Sequence, residues 1–189
     1  MTEKSDYTFV HRKMMRYVFL QTELLLNDGI SELSEYDIQS MIFTFFRARQ
    51  EKYNLYEATR ETNNKTDIVV LQSTGDKIFI ELKTYFKKHE KFKKSHFEGD
   101  FKKLVKDIIN PNSRAFFVIA GASNKFNDKE VANFDFLNGK KLKKKSWTNY
   151  EINDNGKKVH IKIRPSHAES QGKSRLWSWE IMGKSIVSQ

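Results

Sequence analysis

The sequence predicts a mixed α/β (α+β) domain. Three observations carry this. Two segments before residue 51 place apolar side chains at helical spacing. Residues 67–83 contain two β-rich runs joined by a turn signal. A further helical pattern leads into the uninterrupted apolar run Ala115-Phe-Phe-Val-Ile-Ala120. At 189 residues the chain suits a single domain, long enough to bury a core.

Residues 6–27 carry Phe9, Val10, Met14, Tyr17, Val18 and Leu24–Leu26 at roughly helical intervals. They read as one helix or two short ones, ending at Gly29. Ser34-Glu-Tyr-Asp37 resembles a capping box with Ser34 as N-cap. The helix behind it runs to about Gln50 and turns Ile38, Met41, Ile42, Phe45 and Phe46 inward. Glu35 falls in its first turn, where a negative charge suits the helix dipole. Leu55 to Thr59 is a short strand candidate. Asp67–Gln72 and Lys77–Lys83 are β-rich, with Ser73-Thr-Gly-Asp76 as a hairpin turn between them. Residues 97–109 read as an amphipathic helix stopped near Asn110-Pro111. Arg114 to Gly121 is a strand buried on both faces. A second hairpin spans 147–164 and turns at Asn155-Gly156, and Leu176 to Met182 is the last strand. No internal repeat stands out, and the Lys-rich stretch 138–145 is the best boundary candidate.

Lys and Arg total 34 against 24 acids, a net charge of +10. Such a balance favours polyanions, nucleic acid first. The surplus is clustered at Lys87, Lys88, Lys91, Lys93 and Lys94, and again at Lys140, Lys141, Lys143, Lys144 and Lys145. Lysine clusters supply salt-dependent phosphate contact without sequence preference. The absence of cysteine excludes a disulfide scaffold, thiolate catalysis and Cys-ligated zinc. Met1-Thr-Glu-Lys-Ser-Asp6 lacks an apolar signal core, and the run Met41–Phe46 is far below the ~20 residues of a membrane span. A cytoplasmic protein without a membrane partner is the expectation.

The segment that carries chemistry is Asp67 and, after thirteen intervening residues, Glu81-Leu82-Lys83. Glu81, Lys83 and Phe79 share one strand face, while Ile78, Ile80 and Leu82 share the other. If Ile68 and Val70 are to share a core with the even-numbered set, even residues must oppose even residues. That register puts Asp67 opposite Glu81 or Lys83, and it requires an odd-numbered connection, three residues being the simplest. Two carboxylates and an ammonium then converge. Paired carboxylates repel unless a cation sits between them, and oxygen ligands select a hard ion, Mg²⁺ or Mn²⁺. A metal with a lysine beside it is what phosphodiester hydrolysis requires.

The succession of a helix with Glu35, a strand, the Asp67 strand, the Glu81-Leu82-Lys83 strand, helix 97–109 and strand 114–121 resembles the core of the PD-(D/E)XK, restriction-endonuclease-like nucleases. The resemblance covers about residues 31–121 and leaves 122–189 as an appended β-rich segment for recognition or oligomerisation. It implies that Asp67 and Glu81 bind the metal, with the Leu82 carbonyl as a further ligand. It implies that Lys83 positions the attacking water, and that Glu35 completes or supports the metal site. Glu32 and Asp37 compete with Glu35 for that role, and Gln39 lies one turn further on. Thr66 stands where the family name has Pro. The function implied is a Mg²⁺-dependent DNA endonuclease, in the first place a homodimeric type II restriction enzyme. A structure-specific resolvase or phage recombination nuclease, and a noncatalytic nucleic-acid-binding protein, are the alternatives.

Candidate DNA contacts are Lys87, Lys88, Lys94, Lys103, Lys141 and Lys144, together with Arg164, Gln171, Lys173 and Arg175 in a polar stretch read as a loop able to enter a groove. His167 to Ser174 resembles the end of a phosphate-binding loop. His167 replaces its first glycine and no apolar strand precedes it, so no nucleotide cofactor is expected. His89, His96, His160 and His167 show no metal-ligand spacing. Trp147, Tyr150, Trp177 and Trp179 could stack on bases, but packing is the favoured reading.

Overall fold

The computed structural model describes residues 7–60, 66–90, 100, 104, 108, 114–126, 147–154, 157–169 and 172–183. Helix α1 spans Tyr7–Asn27 and α2 spans Glu35–Arg47. Strands β1 (Leu55–Arg60), β2 (Ile68–Gln72), β3 (Lys77–Tyr85), β4 (Arg114–Ala122), β5 (Thr148–Asp154), β6 (Lys157–Glu169) and β7 (Ser174–Gly183) follow. They form one seven-stranded sheet of order β1-β2-β3-β4-β7-β6-β5. It is mixed, because β3 and β4 run parallel while the other neighbours are antiparallel. Among the described residues, no helix is long and apolar enough to cross a membrane.

Helix α1 ends where Gly29 adopts φ +93°, and the Ile30 N–H returns to the Leu25 carbonyl at 3.0 Å. Its inward stripe is Val10, Met14, Met15, Val18, Phe19 and Leu26, whereas Phe9 and Leu24, which also fit the helical spacing, are 50% and 55% exposed. Helix α2 starts at the expected capping box. The Ser34 side chain accepts from the Asp37 N–H, and the Asp37 carboxylate accepts from the Ser34 N–H at 2.8 Å. Ile38, Ile42, Phe45 and Phe46 are its buried residues. Replacing Ser34 with alanine should cost about 1 kcal/mol in chemical denaturation. The two bonds from Ser34 hold the Asp37 carboxyl below its ordinary pKa. A depressed folded pKa contributes stability above the ordinary aspartate range. That contribution is lost as pH falls through the folded value. The stability gap between the wild type and Asp37→Asn should therefore narrow on acidification below about pH 4.

The β2–β3 hairpin turns through Ser73, Thr74 and Gly75, with Gly75 at φ +85° and the Gln72 N–H bonded to the Asp76 carbonyl at 2.9 Å. This three-residue loop sets Ile68 against Ile80 and Val70 against Ile78. Even-numbered residues then share the core beneath α1 and α2, where Ile68, Val70, Ile78, Ile80 and Leu82 meet Phe116 and Val118. The opposite face is also covered. Phe79 and Tyr85 pack with Phe117, Ile119, Leu104 and Ile108, joined by Trp177 and Trp179. The expected helix 97–109 lies largely outside the described residues, but Asp100 and Leu104 are helical and Leu104 and Ile108 are buried.

The C-terminal strands continue the sheet. Strand β7 pairs with β4 from Ala115 to Ala122, and β6 and β5 extend the sheet beyond it. Helix α1, which precedes the 31–121 stretch, packs against β7: the His11 ring stacks on Phe116 at 3.7 Å, and its Nε2 lies 2.8 Å from the Ser178 hydroxyl. The 138–145 stretch and the turn residues 155–156 lie outside the described residues.

Candidate active site

The β2–β3 register, continued by one residue past Ile68 and Ile80, sets Asp67 opposite Glu81. Both are buried, Asp67 at 6% and Glu81 at 1% exposure. Side chains link them. Asp67 Oδ2 accepts the Leu82 N–H at 2.7 Å, and Glu81 Oε2 accepts the Asp67 N–H at 3.3 Å. The Leu82 N–H fixes the orientation of the Asp67 carboxylate. Leu82 itself points into the core under the helices. Its backbone N–H thus reaches from β3 to the Asp67 carboxylate while its side chain anchors β3 in the core.

Lys83 projects on the Glu81 face and pairs with Asp100 at 2.9 Å. Burial opposes its charge. The Asp100 hydrogen bond and the charges of Glu35, Asp100 and Asp67 outweigh that, so its pKa lies above the ordinary lysine value. A lysine held as ammonium can attract and orient phosphate or water oxygens, but has no lone pair with which to act as a base. Tyr85, two residues on, is pushed up first by burial and then by the charges of Glu90, Asp100 and Glu35. Glu35 therefore stands where its charge reaches both Lys83 and Tyr85.

The three acids near the start of α2 have different positions. The Asp37 carboxylate is engaged in the capping box. Glu32 is exposed and accepts the Lys88 N–H at 3.4 Å. Of the three, only the Glu35 charge contributes to raising the Lys83 pKa. Among the described residues, no group of three or more His, Cys, Asp or Glu side chains stands ready to hold a metal ion. The donors gathered on the hairpin are two carboxylates and the Leu82 backbone.

The basic candidates divide. Tyr85 pairs with Gly121 and Gly121 with Arg175, so the carboxyl ends of β3 and β4 and the start of β7 lie at one end of the sheet. That end carries Asp67, Glu81 and Lys83. Lys87 and Lys88 follow β3 there, and the Lys125 ammonium reaches the Lys88 carbonyl at 2.7 Å. Arg175 bonds the Gly172 and Ser174 carbonyls. Lys173 reaches the Leu26 carbonyl at 3.1 Å, in the last turn of α1, where a cation suits the dipole. Lys94, Lys103, Lys141, Lys144 and Gln171 lie outside the described residues.

Arg164 corrects the expectation of a polar loop from 164 to 175. Strand β6 continues to Glu169 and β7 begins at Ser174, so the stretch is a hairpin. The Arg164 Nε donates to Glu180 Oε2 at 2.8 Å, and its guanidinium lies over Trp147. Glu180 is 1% exposed, and Arg114 lies 3.6 Å from its other oxygen. This is a structural ion-pair group, which sequence could not show because its members are brought together only by the β4–β7–β6 pairing. Replacing Arg164 with alanine should destabilise the fold by about 2 kcal/mol, less than a fully buried pair because Arg114 remains. Urea denaturation checks this.

Sequence reasoning also passed over Asp100. Its contact with Lys83 depends on the crossover that the parallel β3–β4 pair requires, and no local pattern announces it. Trp177 and Trp179 are core residues, as the packing reading had them. No protein-family model matches the chain, no curated protein matches it, and no solved structure matches it.

Proposed function

We propose that the chain is a Mg²⁺-dependent endonuclease that hydrolyses DNA phosphodiester bonds, built on a restriction-endonuclease-like core. The observation that carries this reading is the meeting of Asp67, Glu81 and Lys83 at one end of the sheet, with Glu35 alongside and Lys87, Lys88 and Lys125 around them. The order α2, β1, β2, β3, a crossover and parallel β4 supports the fold assignment.

The donor set fits the ion. Mg²⁺ keeps several waters and is usually held by one or two carboxylates together with substrate phosphate. Asp67 and Glu81 would hold it, with the Leu82 carbonyl as an additional oxygen and Glu35 on the outer side. Bound there, it would supply charge neutralisation and an activated water. Lys83 orients the attacking water and stabilises charge on the phosphate. Lys87, Lys88, Lys125 and Arg175 hold the flanking backbone of the substrate. Because a duplex has two strands to cut, a homodimer and site-specific cleavage of the type II restriction kind complete the reading.

The test is incubation of supercoiled plasmid with Mg²⁺ or with EDTA, wild type beside Asp67→Asn. Cutting in Mg²⁺ alone, lost in the variant, is the expected result. Discrete fragments identify site-specific action, and cutting confined to branched DNA identifies a resolvase. DNA binding without cleavage of duplex, branched or RNA substrates would replace the enzyme by a binding protein.

A further inference from the structure

We infer that Glu23 of α1 is a positioning residue: it seats the start of β7 so that Arg175 is presented on the sheet face of Glu81 and Lys83, as a contact for the phosphate backbone that flanks the site. The inference rests on the nucleic-acid reading above and goes beyond it by giving a role to a carboxylate on the opposite face.

Three donors tie residues 173 and 174 to that carboxylate. Glu23 Oε2 accepts the Lys173 N–H at 3.1 Å, and Oε1 accepts the Ser174 N–H at 2.6 Å and the Ser174 hydroxyl. Burial opposes the charge of Glu23. These bonds and the charge of Arg175 outweigh that, so its pKa lies below the ordinary glutamate value. Gly172 sits at φ +87°, and a side chain there would collide with the same carboxylate. The turn is held from β4 as well, since the Lys173 carbonyl accepts the Ser123 N–H at 2.7 Å. Ser174 is buried towards α1, and successive strand residues point to opposite faces, so Arg175 leaves on the other one. The pairing says which face that is. Arg175 opposes Gly121, Gly121 opposes Tyr85, and Tyr85 shares its face with Glu81 and Lys83. Arg175 therefore stands two strands across from Lys83, about 10 Å, and two residues further along, about 7 Å. That separation suits a flanking phosphate rather than the one being cut. The Arg175 Nη1 donates to the Gly172 and Ser174 carbonyls at 3.0 and 2.8 Å, so the guanidinium takes its direction from the turn that Glu23 holds.

The test is binding of a labelled random-sequence DNA duplex to the full chain in EDTA. The cycle comprises wild type, Glu23→Ala, Arg175→Ala and the double variant, with circular dichroism confirming each fold. Removing a carboxylate near phosphate would by itself tighten binding. The inference predicts the opposite sign. Glu23→Ala should weaken binding by about fivefold, and by less than about twofold in the Arg175→Ala background. Ser174→Ala removes one of the three bonds and no charge, and should weaken binding by about twofold. Unchanged or tighter binding in Glu23→Ala, or an equal loss in both backgrounds, would overturn the inference. If Glu23→Ala does not fold, unchanged binding in Ser174→Ala would overturn it instead. A wild type that binds no duplex would remove the nucleic-acid reading itself, a different failure from any of these.

Discussion

Replacing Lys83 with alanine is expected to slow Mg²⁺-dependent cleavage by about 10²–10³-fold, the range for loss of one preorganised charge at a reacting phosphate or oxyanion. DNA affinity should change little. The side chain sits 29% exposed and paired with Asp100, while exposed Lys88 and neighbouring Lys87 and Lys125 remain for backbone contact. Arginine at the position should recover only part of the rate, because its planar fork cannot take the place of a compact ammonium. Single-turnover cleavage at saturating enzyme separates the chemical step from binding. A variant that cuts at the wild-type rate would remove Lys83 from the reaction.

The largest stability effect is expected at Phe116. Its side chain is fully buried in the centre of the sheet, between Ile80 on β3 and Glu180 on β7. Its ring lies flat against the buried His11 of α1, with 7° between the planes. Phe116→Ala should cost about 3–5 kcal/mol, the sum of lost transfer energy and the cavity left beneath α1. Urea denaturation followed by circular dichroism measures it. A loss below about 1 kcal/mol would mean that α1 closes over the gap without loss of packing. Because the His11 bond to Ser178 lies beside the same cavity, amide exchange in α1 should rise before that in β3 and β4.

What the sequence made legible is what local chemistry decides. The alternation of Ile78, Ile80 and Leu82 against Phe79, Glu81 and Lys83, with three residues in the turn, is enough to fix a register. The Ser34–Asp37 box marks the start of α2 because both halves of that reciprocal bond lie within four residues. What stayed hidden depends on contacts distant along the chain. Phe9 and Leu24 fit a helical stripe as well as Met15 and Phe19 do. Only the placement of α1 on β7 and β6 decides which of them face inward. The Arg164–Glu180 pair spans sixteen positions and needs the β6–β7 register before it can be seen. Nothing in residues 174–183 says that they insert beside β4 and make the C-terminal strands part of one sheet. Asp100 belongs to the same class, since its contact with Lys83 exists only once the crossover helix docks.

The most direct measurement is the rate of plasmid cleavage in Mg²⁺ for Asp67→Asn, Glu81→Gln and the double variant, each confirmed to bind DNA. If the two carboxylates share one cation, either single change should remove most of the activity. The double variant should be no slower than the slower single, because groups that act as a unit do not add. Full activity in either single variant, or losses that multiply in the double, would contradict a shared site at Asp67 and Glu81.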